Sequence, residues 1–127
     1  MIEIVVPGYK TLRLEHLVLD YNGTLACDGK RLDGVEERLE ALSRQVKVHV
    51  LTADTFGKAR SGMGKIPCEL SILPIGDQDK GKLEYIQGLG PDSTACIGNG
   101  RNDRLMLKYA SLGIAVVLEE GAAIETL

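Results

Sequence analysis

Side chains able to do chemistry recur just beyond the apolar runs of this 127-residue chain. Asp20 closes the run His16-Leu17-Val18-Leu19 and breaks into Tyr21-Asn22-Gly23-Thr24, and Thr52 closes Val46 to Leu51. Gly98-Asn99-Gly100-Arg101-Asn102-Asp103 follows Thr94 to Ile97, while Lys80 and Lys82 open a helical pattern continued by Leu83, Ile86 and Leu89. A carboxylate nucleophile, a hydroxyl and an ammonium for phosphoryl oxygens, and carboxylate oxygen for Mg²⁺ are the parts that phosphoryl transfer needs. Each part alone has a plainer reading. Asp20 can be a strand-end carboxylate accepting backbone hydrogen bonds, Thr52 a β-branched strand residue, and Asp54 or Thr55 a helix cap. Asp103 can simply cap a helix beginning at Arg104, and Lys82 can be a solvated lysine. Their order, with each at a strand end or helix start, favours chemistry. Of the two lysines Lys82 is preferred, because Tyr85, Ile86 and Leu89 place it at the start of a packed helix face; Lys80 is the alternative.

The elements that must position these residues follow from hydrophobic periodicity. Ile2 to Val6 and Leu12 to Leu14 flank Pro7-Gly8 and predict a hairpin covering a sheet edge. The run from His16 to Leu19 predicts a buried strand stopping at a loop, and Leu32, Val35, Leu39 and Leu42 predict an amphipathic helix with Asp33 near its start. Strands at Val46 to Leu51, Leu70 to Leu73, Thr94 to Ile97 and Ile114 to Leu118 then alternate with helices at Thr55 to Met63, Lys82 to Leu89 and Asp103 to Ala110. Such alternation predicts an α/β fold, a mainly parallel sheet covered on both faces. Ligands of these sheets bind beyond the carboxyl ends of the strands, where the residues above lie.

Composition narrows the function classes. The length is that of one domain. Fifteen Lys and Arg against 18 Asp and Glu give a net charge of −3, which argues against a phosphate-backbone footprint and so against nucleic acid. No apolar run approaches the length of a bilayer span and no secretory pattern opens the chain, so a cytoplasmic, non-membrane protein is expected. Cys27, Cys68 and Cys96 are odd in number and far apart, and are expected to be reduced residues, neither a disulfide framework nor a zinc site.

In order, Asp20-Tyr21-Asn22-Gly23-Thr24-Leu25, Thr52, a helix-opening lysine and Gly98-Asn99-Gly100-x-Asn102-Asp103 resemble the four motifs of the haloacid dehalogenase (HAD) superfamily of phosphotransferases, from about His16 to Val117. Within it, the first motif is similar to the Asp-Lys-Thr-Gly-Thr-Leu-Thr of the phosphorylation domain of P-type ATPases. Thr52-Ala53-Asp54-Thr55-Phe56-Gly57-Lys58-Ala59 likewise resembles those pumps' Thr-Gly-Asp-x-x-Gly-x-Ala. With no membrane helices and no room for a nucleotide-binding insert, the resemblance is to a stand-alone, soluble P-type-ATPase-like phosphatase. It implies a three-layer HAD-like Rossmannoid with an N-terminal hairpin, one core domain over residues 1–127. No cap domain fits: Leu25 to Val46 hold one flap and one helix, and Ala53 to Lys82 one helix and one strand. An open site suits a phosphoprotein, or a phosphorylated small molecule enclosed by a neighbouring copy in a homo-oligomer.

The resemblance also implies roles. Asp20 would attack phosphorus and become an aspartyl phosphate. Mg²⁺ would be held by Asp20, the backbone carbonyl of Asn22 and the motif-four residues Asn99 and Asp103. Phosphoryl oxygens would be bound by Thr52, Ala53 and Lys82, and by backbone amides in the turn after Asp20, including Tyr21 and Asn22. Two positions depart from the common phosphatase pattern. Asn22 stands where those enzymes carry an acid-base Asp, and an amide cannot shuttle protons; the absence should raise the barrier by roughly 3–5 kcal/mol and favour good leaving groups such as acyl or aryl phosphates. Asn99 stands where the family has a metal-binding carboxylate, so weaker Mg²⁺ affinity is expected. The alternative function is a catalytically weak HAD-like module that binds phosphate or a protein partner. A signalling receiver domain is disfavoured, because Asp20 precedes nearly all of the βα alternation.

Overall fold

The structure, a computed structural model, describes the whole chain except residues 22, 28, 29, 54–62, 65, 75, 119 and 120; at 27 and 30 only the main chain is described. In chain order the strands are β1 (Ile2–Val6), β2 (Lys10–Leu14), β3 (His16–Asp20), β4 (Ala26–Cys27), β5 (Lys30–Arg31), β6 (Lys47–Thr52), β7 (Glu69–Ile72), β8 (Thr94–Gly98) and β9 (Leu112–Ala115). Three α-helices are described, α1 (Val35–Leu42), α2 (Gln78–Leu89) and α3 (Arg104–Tyr109). Short 3₁₀ turns at Pro91–Ser93, Arg101–Asp103 and Ile124–Thr126 complete the list.

A five-stranded sheet runs β7-β6-β3-β8-β9 with every neighbouring pair parallel. Period-two alternation sorts its side chains. Leu17, Leu19, Val48, Val50 and Ala95 face one layer, where they meet α1 through Leu39 and the hairpin through Leu12 and Leu14. Val18, Leu51 and Cys96 face the other layer, with Ile86 of α2 and Met106 and Leu107 of α3. The sheet is therefore covered on both faces, an α/β sandwich of three layers. Asp20 shares its face with Val18, so β3 hands its terminal carboxylate to the layer that contains α2.

Several expected boundaries shift. The last strand is Leu112–Ala115, earlier than Ile114 to Leu118, and α2 begins at Gln78, four residues before Lys82. Gly34, with φ +84, caps α1, and Asp33 is exposed. The hairpin is its own antiparallel sheet and does not cover an edge, since the edge strands are β7 and β9. It is fastened instead at the amino ends of the central strands. The Met1 ammonium donates to the Gln45 carbonyl, and the Glu15 N–H donates to Ser93 while Lys47 N–H donates to Glu15. Burying Leu12 and Leu14 contributes about 2 kcal/mol each to that docking. The expected helix at Thr55 to Met63 falls almost wholly outside the described residues.

Candidate active site

The chain runs from β3 to β6 on one side and returns to β8 on the other, which opens a crevice at the carboxyl end of β3. Asp20 ends β3, Thr52 ends β6 and Gly98 ends β8, so three of the sequence-selected loops meet there. Lys82 crosses the crevice from the first turns of α2. Its ammonium donates to Asp20 Oδ1 at 2.9 Å and to Asp103 Oδ1 at 2.5 Å. The lysine is 1% exposed and Asp103 0%, which makes this a buried cation between two buried carboxylates. Lys80 is exposed, so Lys82 is the lysine that the fold brings to Asp20.

Both oxygens of Asp103 take hydrogen bonds. Its second oxygen accepts the backbone N–H groups of Asn99 and Gly100, both at 3.0 Å. This arrangement demands glycine at 98, where a Cβ would lie 2.5 Å from Asp103 Cγ. Asp20 takes the Lys82 hydrogen bond on Oδ1. Burial, reinforced by repulsion from Asp103, pushes the Asp20 carboxyl up to about 6 against the pull of Lys82. For Lys82 burial acts in the opposite sense and would lower the ammonium, but the two carboxylates hold it above the ordinary lysine value.

The carbonyl of Tyr21 accepts the N–H groups of Thr24, Leu25 and Ala26, and Gly23 N–H donates to Ala26. The backbone amides from Gly23 to Ala26 are thus engaged inside the turn. The Tyr21 ring is completely buried in the core, so only its main chain can face the crevice. Asn22, and with it the acid-base position, lies outside the described residues. Thr52 is buried at the strand end, and its carbonyl accepts Leu73 N–H; Ala53, half-buried, follows it.

Asn99 is turned to a purpose the sequence did not reveal. Its Nδ2 donates to the Gly121 carbonyl at 3.1 Å, leaving Oδ1 as the one oxygen it can offer a cation. Its carboxamide rests on Gly23, where a Cβ would stand 2.3 Å from Nδ2. Two further features had no signal in spacing or residue type. Arg104 donates to Asp79 Oδ2 at 2.8 Å, tying the first turn of α2 to the start of α3. Beneath Lys82, Tyr85 meets fully buried His49 (2.8 Å), which in turn meets His16 (3.1 Å).

No three His, Cys, Asp or Glu side chains gather as a metal cage among the described residues. Asp20, Asp103 and the Asn99 amide oxygen nevertheless fit a hard cation that keeps waters and is bound by one or two carboxylates and a phosphate. Thr24 Oγ1, buried in the motif-one turn and without a partner among the described residues, is consistent with a polar ligand in this crevice. Burial pushes the Cys96 thiol up to about 12 and raises Cys68, so neither presents a thiolate. No described helix is long and apolar enough to cross a membrane.

The fold is that of the HAD hydrolases. The cobalt-bound deoxy-D-mannose-octulosonate 8-phosphate phosphatase of Haemophilus influenzae matches with a TM-score of 0.67 at 14% identity, over 83% of this chain and 70% of that one. The 3-deoxy-D-manno-octulosonate 8-phosphate phosphatase of Moraxella catarrhalis, solved with magnesium, phosphate and its sugar acid, gives 0.69 at 14% identity, over 89% and 71%. A Streptomyces avermitilis protein assigned to the HAD hydrolases gives 0.64 at 16% identity, over 89% and 71%. By sequence, the chain belongs to the same family as the uncharacterized protein MJ0072 of Methanocaldococcus jannaschii, which is 49% identical over 39 residues, 31% of this chain and 89% of that protein. No family model matches the chain.

Proposed function

We propose that the protein is a Mg²⁺-dependent phosphohydrolase or phosphotransferase that works through an aspartyl phosphate on Asp20. The observation that carries this reading is the buried Asp20–Lys82–Asp103 cluster at the sheet's switch point, because a carboxylate held by a buried lysine is placed and oriented for attack on a phosphate. Asp20 Oδ2 forms the bond to phosphorus as the bond to the leaving oxygen breaks. Lys82 orients Asp20 through Oδ1 and offsets charge on the transferring group, with Thr52 and the main chain of residues 21, 22 and 53 as the further phosphate contacts. Asp20, the Asn22 carbonyl, Asn99 Oδ1 and Asp103 would hold Mg²⁺, which when bound neutralises phosphate charge. Water then attacks the acyl phosphate, releasing phosphate and restoring the carboxylate.

Asn22 cannot protonate the leaving oxygen, so turnover is slow and favours aryl or acyl phosphates. The Thr52-Ala53-Asp54 stretch and the non-acidic residue after Tyr21 support a P-type-ATPase-like character within the HAD fold. The site suits phosphoprotein or small phosphorylated substrates in the cytoplasm. The test is Mg²⁺-dependent hydrolysis of an aryl phosphate by the wild type, Asp20→Asn and Asn22→Asp. The reading expects loss in the first variant and a gain of about a hundredfold in the second. Phosphate binding without turnover in any of the three would instead identify a binding module.

A further inference from the structure

The segment from Gly121 to Leu127 lies against the motif-four loop with little apolar burial to hold it. Ile124 is 86% exposed and Leu127 75%. Polar ties do the holding. Asn99 Nδ2 donates to the Gly121 carbonyl at 3.1 Å, Ala123 N–H donates to the Asn99 carbonyl at 2.8 Å, and Thr126 Oγ1 donates to the Gly100 carbonyl at 2.7 Å.

One of these ties reaches the reacting residues. The carbonyl of Asn99 and the N–H of Gly100 belong to a single planar peptide unit and point in opposite directions. On one side that unit accepts Ala123 N–H; on the other its N–H donates to Asp103 Oδ2. Asp103 then holds Lys82, and Lys82 holds Asp20. An unbroken series of hydrogen bonds thus joins the 121–127 segment to the nucleophile, and such series polarise and align their members.

We infer that Asn99 is a positioning residue: its carboxamide fastens the 121–127 segment to the motif-four loop, and the fastened segment aligns the peptide unit that orients Asp103 and Lys82. The chemistry at position 99 explains itself in these terms. A carboxylate of the same size would set an anionic oxygen against the Gly121 carbonyl and lose the donor, whereas an amide pairs with it. The same carboxamide, packed on Gly23, locks the motif-one turn to the motif-four loop. The kinetic part of this inference rests on the phosphatase reading, but the fastening does not.

The test uses the full chain, without metal for the structural arm. Nuclear magnetic resonance follows amide exchange at Ala123 and the Gly100 amide shift in the wild type, Asn99→Asp, Thr126→Val and Thr126→Ser. Expected are exchange at Ala123 about tenfold faster in Asn99→Asp and Thr126→Val, with core amides such as Val50 unchanged, a moved Gly100 resonance, and near-wild-type behaviour in Thr126→Ser. In the kinetic arm, Thr126→Val lowers kcat for an aryl phosphate several-fold at unchanged KM, and Thr126→Ser restores it. Unchanged exchange and an unmoved Gly100 resonance would overturn the fastening. Faster exchange with unaltered kcat would overturn the positioning. A wild type without phosphatase activity would refute the proposed function, and the Gly100 shift would then decide the positioning alone.

Discussion

Lys82 is the residue on which the site's electrostatics turn. Its ammonium stands between the fully buried Asp103 and the largely buried Asp20, so removing it leaves two carboxylates facing each other with little water to screen them. Breaking a buried pair in this way typically costs about 3–5 kcal/mol, against almost nothing for an exposed pair. Lys82→Met should therefore lower the urea midpoint sharply at pH 7 and less at pH 4, where Asp20, pushed up to about 6, is protonated; equal losses at both pH values would show that the charge on Asp20 does not set the cost. Sequence order singled out Asp20, Thr52 and the Gly98–Asp103 loop, because strand ends and helix starts leave periodic signatures, and the apolar face of the following helix favoured Lys82 over Lys80. It could not show that Asn99 points at Gly121, or that the amides from Gly23 to Ala26 close their own turn, since both depend on tertiary placement.

At the scale of elements, α2 is held by two polar ties, one on either side of Lys82. The upper tie, Asp79 to Arg104, joins the helix carrying Lys82 to the helix that follows Asp103. Asp79→Arg and Arg104→Asp should each lower kcat about threefold, and the double variant should recover part of the loss. A double variant no better than the worse single one would show that the pair does not set the two helices against each other.

The lower tie is Tyr85–His49–His16. Burial first, and then the facing His16 and Lys47, push His49 down to about 4, against the opposing pull of Glu69. The unfolded chain takes a proton at His49 below about 6.5, whereas the folded chain does so only below about 4. Stability should therefore fall as pH drops through that window, by about 3 kcal/mol, and His49→Gln should flatten the fall. An unchanged pH profile in that variant would count against a neutral buried His49. None of these ties was legible beforehand. Periodicity finds the apolar stripe of α2 but is silent on which polar residues it carries into the sheet, and it places the start of α2 four residues late because Gln78 to Gly81 carry no apolar side chain.

For the molecule as a whole, the alternation of apolar runs and amphipathic stretches fixed a parallel three-layer sheet, and the switch point of that sheet gathers residues up to 83 positions apart, from Asp20 to Asp103. The hairpin was legible as a hairpin, but its docking at the amino ends of the strands was not, because Leu12 and Leu14 specify burial and not direction. We propose Asp20 as the nucleophile of a slow phosphoryl transfer. Its most direct test is intact-mass measurement of the protein quenched in acid seconds after mixing with Mg²⁺ and an acyl or aryl phosphate. Expected is an adduct of about 80 Da that maps to Asp20, is absent from Asp20→Asn and is shorter-lived in Asn22→Asp. Folded wild type with neither adduct nor turnover would contradict it.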